Sequence, residues 1–187
     1  MDHCIVYTDG GGALSVLHPA DNARLIEVDG QIMPAFAKFT HPSSMAKAVA
    51  DGGAKYAETE QEFLARIAKK DVPAGAVDVV FVRCADLPAD REFRDAWTLR
   101  SRAVAIDLAK AKNIVVERLR QVRAPLLQDL DVAFLRASEE ANREKMEAVT
   151  QRKQYLRSVT KDVRLNAKGA KALSEAFAAI CSEMASI

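Results

Sequence analysis

Residues 106–137 read IDLAKAKNIVVERLRQVRAPLLQDLDVAFLRA. Leu108, Ala111, Val115, Leu119, Val122, Leu126, Leu130, Ala133 and Ala137 recur in it at steps of three and four. That period predicts one long helix with a single apolar face. No glycine interrupts the run, but Pro125 does. Proline lacks a backbone donor and its ring clashes with the preceding turn, so a kink or break is predicted near Ala124. A turn over 138–142 opens a second helix with Met146, Val149, Leu156 and Val159 inward. Two helices joined so closely run antiparallel. A third, shorter helix over 167–184 carries Leu173, Phe177 and Ile180 at steps of four and three.

The chain before this run has a different texture. Seven of the eight glycines and five of the six prolines precede residue 107. Residues 1–106 are net −3 and residues 107–187 net +4. Cys4-Ile5-Val6-Tyr7-Thr8 is β-prone, Asp9-Gly10-Gly11-Gly12 turns, and Ala13 to His18 returns: a hairpin. Leu25 to Val28, then Asp29-Gly30, then Gln31-Ile32-Met33 predicts a second one, because Asp-Gly permits the positive φ of a tight turn. A short strand over 35–39 and a short helix over 44–49 follow. Thr59-Glu60-Gln61-Glu62 carries a capping signal for a helix with Phe63, Ile67 and Ala68 inward. Val79-Val80-Phe81-Val82 reads as a buried strand. The fold class is therefore α+β: a β-rich head over 1–97, a connection over 98–106, and a helical domain over 107–187.

The stretch at the boundary, Asp86-Leu87-Pro88-Ala89-Asp90-Arg91-Glu92-Phe93-Arg94-Asp95-Ala96-Trp97, gathers four carboxylates. Acid–base catalysis needs such groups with pKa values pushed apart. Here Arg91 and Arg94 alternate with them and hold them ionised. The structural reading is the better one: Asp90 caps a short helix, Glu92 and Arg94 face water, and Phe93 and Trp97 point the same way. Trp97, the single tryptophan, plugs the place where head and helices meet, or serves as a partner contact.

Composition excludes several classes. With 49% hydrophobic residues in 187 the chain has a core, and it is not globally disordered. A net charge of +1 does not favour a nucleic-acid binder. No apolar run approaches the roughly 18 residues of a membrane span, and Met1 to Gly12 carries no signal-peptide pattern. Cys4, Cys84 and Cys181 lie far apart without CxxC spacing, as reduced thiols do. Asp9-Gly10-Gly11-Gly12 lacks the Gly-Lys-Ser/Thr ending of a phosphate loop. His3, Cys4, His18 and His41 match no common metal spacing. The basic series from Arg118 to Arg164 is interleaved with acids, as on a solvated helix surface. The expectation is a non-enzyme without metal or cofactor.

Three blocks in order carry a family resemblance. They are Ala57-Glu58-Thr59-Glu60 with Phe63-Leu64-Ala65-Arg66-Ile67-Ala68 and Lys70-Asp71-Val72-Pro73, then Asp86 to Trp97, then Ile106 to Ala111 with Arg123-Ala124-Pro125-Leu126-Leu127 and Leu130-Asp131-Val132-Ala133-Phe134. Together they resemble small bacteriophage and prophage accessory proteins of the tail and host-recognition genes, similar in layout to tail-fibre assembly proteins. The resemblance implies a virion component or assembly factor, found in the virion or in the host cytoplasm during assembly. It implies other phage structural proteins, of the tail or tail fibre, as partners. The runner-up is a phage nucleic-acid-binding or regulatory protein using the basic helical face. The long apolar face outruns its shorter partner helix, so an exposed strip and self-association are expected. Leu119, Leu126, Leu130 and Trp97 are the interface candidates.

Overall fold

The computed structural model describes residues 2–186. Two compact units emerge: residues 2–88 with Thr98–Ala105, and Ala89–Trp97 with residues 106–186. The chain thus passes from one unit to the other three times. The first unit contains, in chain order, β1 (His3–Thr8), β2 (Leu14–Leu17), β3 (Leu25–Val28), β4 (Gln31–Pro34), α1 (Pro42–Ala50), β5 (Lys55–Tyr56), α2 (Glu60–Asp71) and β6 (Val77–Arg83). It also takes most of a hairpin formed by β7 (Trp97–Arg100) and β8 (Ala103–Ile106). The second unit contains α3 (Leu108–Glu139), α4 (Arg143–Ser158) and α5 (Ala170–Ala185). Small antiparallel sheets followed by helices make this an α+β fold, as the sequence predicts.

In the first unit, one sheet has the order β2-β1-β6 and a second β4-β3-β5. The β1–β2 loop is organised by Asp9, whose Oδ1 accepts the N–H groups of Gly11 and Ala13, each at 2.9 Å. Those donors are therefore engaged within the turn. The β3–β4 turn places Asp29 and Gly30 at φ 53° and 76°, the left-handed pair a two-residue hairpin requires. Helix α2 starts at a full capping box between Thr59 and Glu62 and buries Phe63, Leu64 and Ile67 against Ile5. A second apolar cluster joins Ile26, Val28, Ala35, Met45 and Ala54.

Four expectations change. Residues 35–39 are no strand; Ala35–Ala37 is a 3-10 turn, entered directly from Pro34. Strand β6 is buried on one face only: Val80 and Val82 are 9% exposed, whereas Val77, Val79 and Phe81 are 55%, 43% and 39% exposed. It is an edge strand, and a continuous apolar run does not tell one covered face from two. Residues 98–106 are no open connection but the β7–β8 hairpin, whose turn puts Ser101 and Arg102 at φ 50° and 67°. Finally, α3 is one helix of 32 residues that continues across Pro125. Leu119, Leu126 and Leu127 anchor the helix to the same core on both sides of the proline, which holds it through the missing hydrogen bond.

The core of the second unit gathers Phe93, Val115, Leu119, Leu156, Leu173 and Ile180. All three helices contribute to it. It sits along the first half of α3, the end of α4 and the length of α5. Asp107 caps α3 by accepting from Ala109 and Lys110; Asn142 caps α4 by accepting from Lys145. Ala141, at φ 51°, turns the chain between the two helices.

Candidate functional site

Three of the four carboxylates of the boundary stretch, Asp86, Asp90 and Glu92, are engaged in hydrogen bonds. Asp86 receives Arg83 through two bonds of 2.9 and 3.0 Å. Asp90 Oδ1 accepts the Glu92 N–H at 2.8 Å. Glu92 does not simply face water: its Oε1 accepts Arg118 Nη1 at 2.8 Å, and its carbonyl accepts Nη2 at 3.1 Å. The short helix is a 3-10 turn, Arg94–Ala96. Phe93 is fully buried and Trp97 only 4% exposed, and the indole N–H finds no acceptor among the described residues.

The interface candidates divide. Leu119 has no exposed surface; it is a core residue of the second unit and offers nothing to a partner. Leu126 and Leu130 are half-buried against the same core. Trp97 is buried. The exposed apolar side chains of α3 are others: Val122, Val132 and Leu135, the last 62% exposed. Beyond Leu130 the only fully buried α3 residue is Ala137. Here α3 and α4 pack side by side as a two-helix arm, with Ala133, Ala137, Ala148 and Val149 bordering an open hollow between them. Lys153 crosses it, 2.7 Å from Asp131 and over the Phe134 ring at 4.8 Å. The period of α3 identified its apolar residues; how far α4 and α5 cover them was not readable from it.

Several members of the basic series are paired. Arg118 meets Glu92, Arg120 meets Glu117, and Lys153 meets Asp131. Arg164 binds both Asp162 and Glu183, and Glu183 also accepts from Tyr155 at 3.0 Å. These contacts hold Asp162 and Glu183 below the usual carboxylate range, chiefly through the Arg164 hydrogen bonds. They tie the 3-10 turn Val163–Asn166 to α5.

The first unit gathers a thiol–imidazole group. Cys4 is on the central strand β1, Cys84 directly follows β6, and His18 directly follows β2. Their donor atoms lie within 4.8 Å of one another, and Cys84 Sγ is 3.7 Å from His18 Nδ1. Cys4 is fully buried, Cys84 half-buried and His18 exposed. Burial pushes the Cys4 thiol up to about 12, and Cys84 beside it adds to the effect. An open hollow of about 370 Å³, bordered by His18, Cys84, His3 and Asp21, lies over the exposed end. Of the four residues considered from sequence, only Cys4 and His18 come together. His3 points its Nδ1 at Glu60, 3.0 Å away, and His41 is the N-cap residue of α1. Cys84 joins them through the pairing of β6 with β1, which local sequence spacing does not reveal.

No family model matches the chain, and neither does any curated protein or solved structure. Among the described residues, no helix is long and apolar enough to cross a membrane.

Proposed function

We propose that the chain is a bacteriophage structural or tail-assembly accessory protein that acts through protein–protein contacts made by the α3–α4 arm. The observation that carries this reading is the apolar pair Val132 and Leu135, three residues apart on α3 and 47% and 62% exposed. They occupy one side of a helix whose opposite side is already packed. The order of the sequence blocks supports the phage assignment. The engagement of Asp86, Asp90 and Glu92 favours a contact protein over an acid–base enzyme. The partner is a second copy or another tail or tail-fibre protein, met in the virion or in the host cytoplasm.

The test is the pair of substitutions Val132→Glu and Leu135→Glu. Both sites face water, so the fold and the helical signal in circular dichroism are retained. Association measured by light scattering, and incorporation into particles measured by mass spectrometry, are expected to be lost. Unchanged assembly and incorporation in the double variant would refute the proposal. Leu119 is unsuitable for this test, because a charge there disrupts the core itself.

A further inference from the structure

We infer that Cys4, His18 and Cys84 form a zinc-binding site with one coordination position open to the hollow beside it. The sheet builds the site. Cys4 pairs with Val82 across β1–β6, and the Cys84 N–H bonds the Asp2 carbonyl two residues before Cys4. Residues two apart on a strand share a face, so the two thiols project on the same side. Ile5 pairs with Leu17 across β1–β2, and extending that register by one residue sets His18 opposite Cys4. Three neighbouring strand ends thus deliver two sulfurs and an imidazole nitrogen to one point.

The spacing suits the ion. Zinc binds sulfur at about 2.3 Å and histidine nitrogen at about 2.0–2.1 Å in a tetrahedron, which sets ligand atoms about 3.5–3.8 Å apart. The Cys84–His18 distance of 3.7 Å already meets this, and the full group within 4.8 Å needs a contraction of about 1 Å at most. Two soft thiolates with one imidazole select Zn²⁺ over the hard, oxygen-seeking Mg²⁺ and Ca²⁺. The cation supplies the charge that lets two adjacent thiols give up their protons. Cys4 closes the inner side, while His18 and Cys84 border the hollow, where a water or substrate oxygen completes the tetrahedron. The site also ties the ends of β2, β1 and β6 together.

The full-length chain, kept reduced with a non-chelating phosphine, is titrated with Zn²⁺ against a chromophoric chelator and separately with Co²⁺. One equivalent of either metal is expected to bind, with a thiolate-to-cobalt charge-transfer band and a raised Tm in zinc. His18→Ala alters an exposed side chain and leaves the fold intact. Loss of an outer-sphere contact alone weakens metal sites 10–100-fold, so loss of this ligand is expected to weaken binding by at least about 100-fold. Cys84→Ser is expected to do the same and to weaken the charge-transfer band, whereas Cys181→Ser is expected to change nothing. Absence of stoichiometric binding, a cobalt spectrum without thiolate character, or wild-type affinity in His18→Ala would each overturn the inference.

Discussion

Glu58 shows how a single side chain is held charged inside the first unit. Its carboxylate is 8% exposed, accepts the Leu25 N–H at 2.7 Å, and takes Arg66 through Nε at 3.0 Å and Nη2 at 2.6 Å. Burial alone pushes its pKa up, but the Arg66 and Leu25 hydrogen bonds and the charges of Arg66 and Arg24 together outweigh it, leaving the group below its ordinary value. A carboxyl lowered by folding contributes its stability above the unfolded pKa and loses it as pH falls through the folded pKa. Glu58→Gln turns an amide N–H₂ toward Arg66 and is expected to cost about 2–3 kcal/mol near neutral pH. It should also flatten the acid limb of a stability–pH curve, followed by urea unfolding. Trp97 presents the converse case, a buried indole whose N–H has no acceptor among the described residues. Its fluorescence is expected to be blue-shifted and shielded from iodide. Trp97→Ala should cost about 3–5 kcal/mol. Trp97→Phe should cost markedly less, because it also removes a buried unpaired donor; equal losses in the two variants would contradict the unpaired N–H.

At the scale of elements, two pieces of backbone sit against local preference. The β7–β8 turn holds Ser101 and Arg102 with positive φ, where Asn-Gly is favoured. Replacing the pair by Asn-Gly is expected to raise stability by about 1 kcal/mol, seen as a higher denaturation midpoint with an unchanged slope. Pro125 lies inside α3 without ending it. Pro125→Ala restores one donor and removes the ring clash, and is expected to stabilise by up to about 3 kcal/mol. These same features mark where sequence reading stops. The three long helices and the two N-terminal hairpins were legible because period and turn chemistry agree with the fold. The β7–β8 hairpin was not, since its turn carries neither glycine nor asparagine. Pro125 suggested a kink or a break, and the break does not occur because the core anchors both flanks, which local rules ignore. The Cys4–His18–Cys84 group was only half legible: its members are separated by up to 80 positions and meet through strand register, which local pattern does not set.

At the scale of the molecule, the division of the chain decides what folds alone. Texture places the start of the helical part at residue 107, yet Phe93 and Ala96 lie fully buried in the core of the second unit. Arg118 of α3 is bonded to both the side chain and the backbone of Glu92, and the Asp107 N–H bonds the Ala96 carbonyl. The segment 89–97 is therefore part of the helical unit, although a hairpin assigned to the other unit separates it from α3 in the sequence. A fragment starting at 107 leaves an open slot where Phe93 belongs, a loss of about 3–5 kcal/mol for the phenyl alone. That is a large share of the 5–15 kcal/mol typical of a domain. Fragment 89–187 is expected to show a cooperative thermal transition by circular dichroism. Fragment 107–187 is expected to melt lower and over a broader range, with exposed apolar surface that binds a hydrophobic dye. Phe93→Ala in fragment 89–187 should reproduce most of that deficit. Matching transitions in the two fragments would mean that the helices close their core without the boundary stretch.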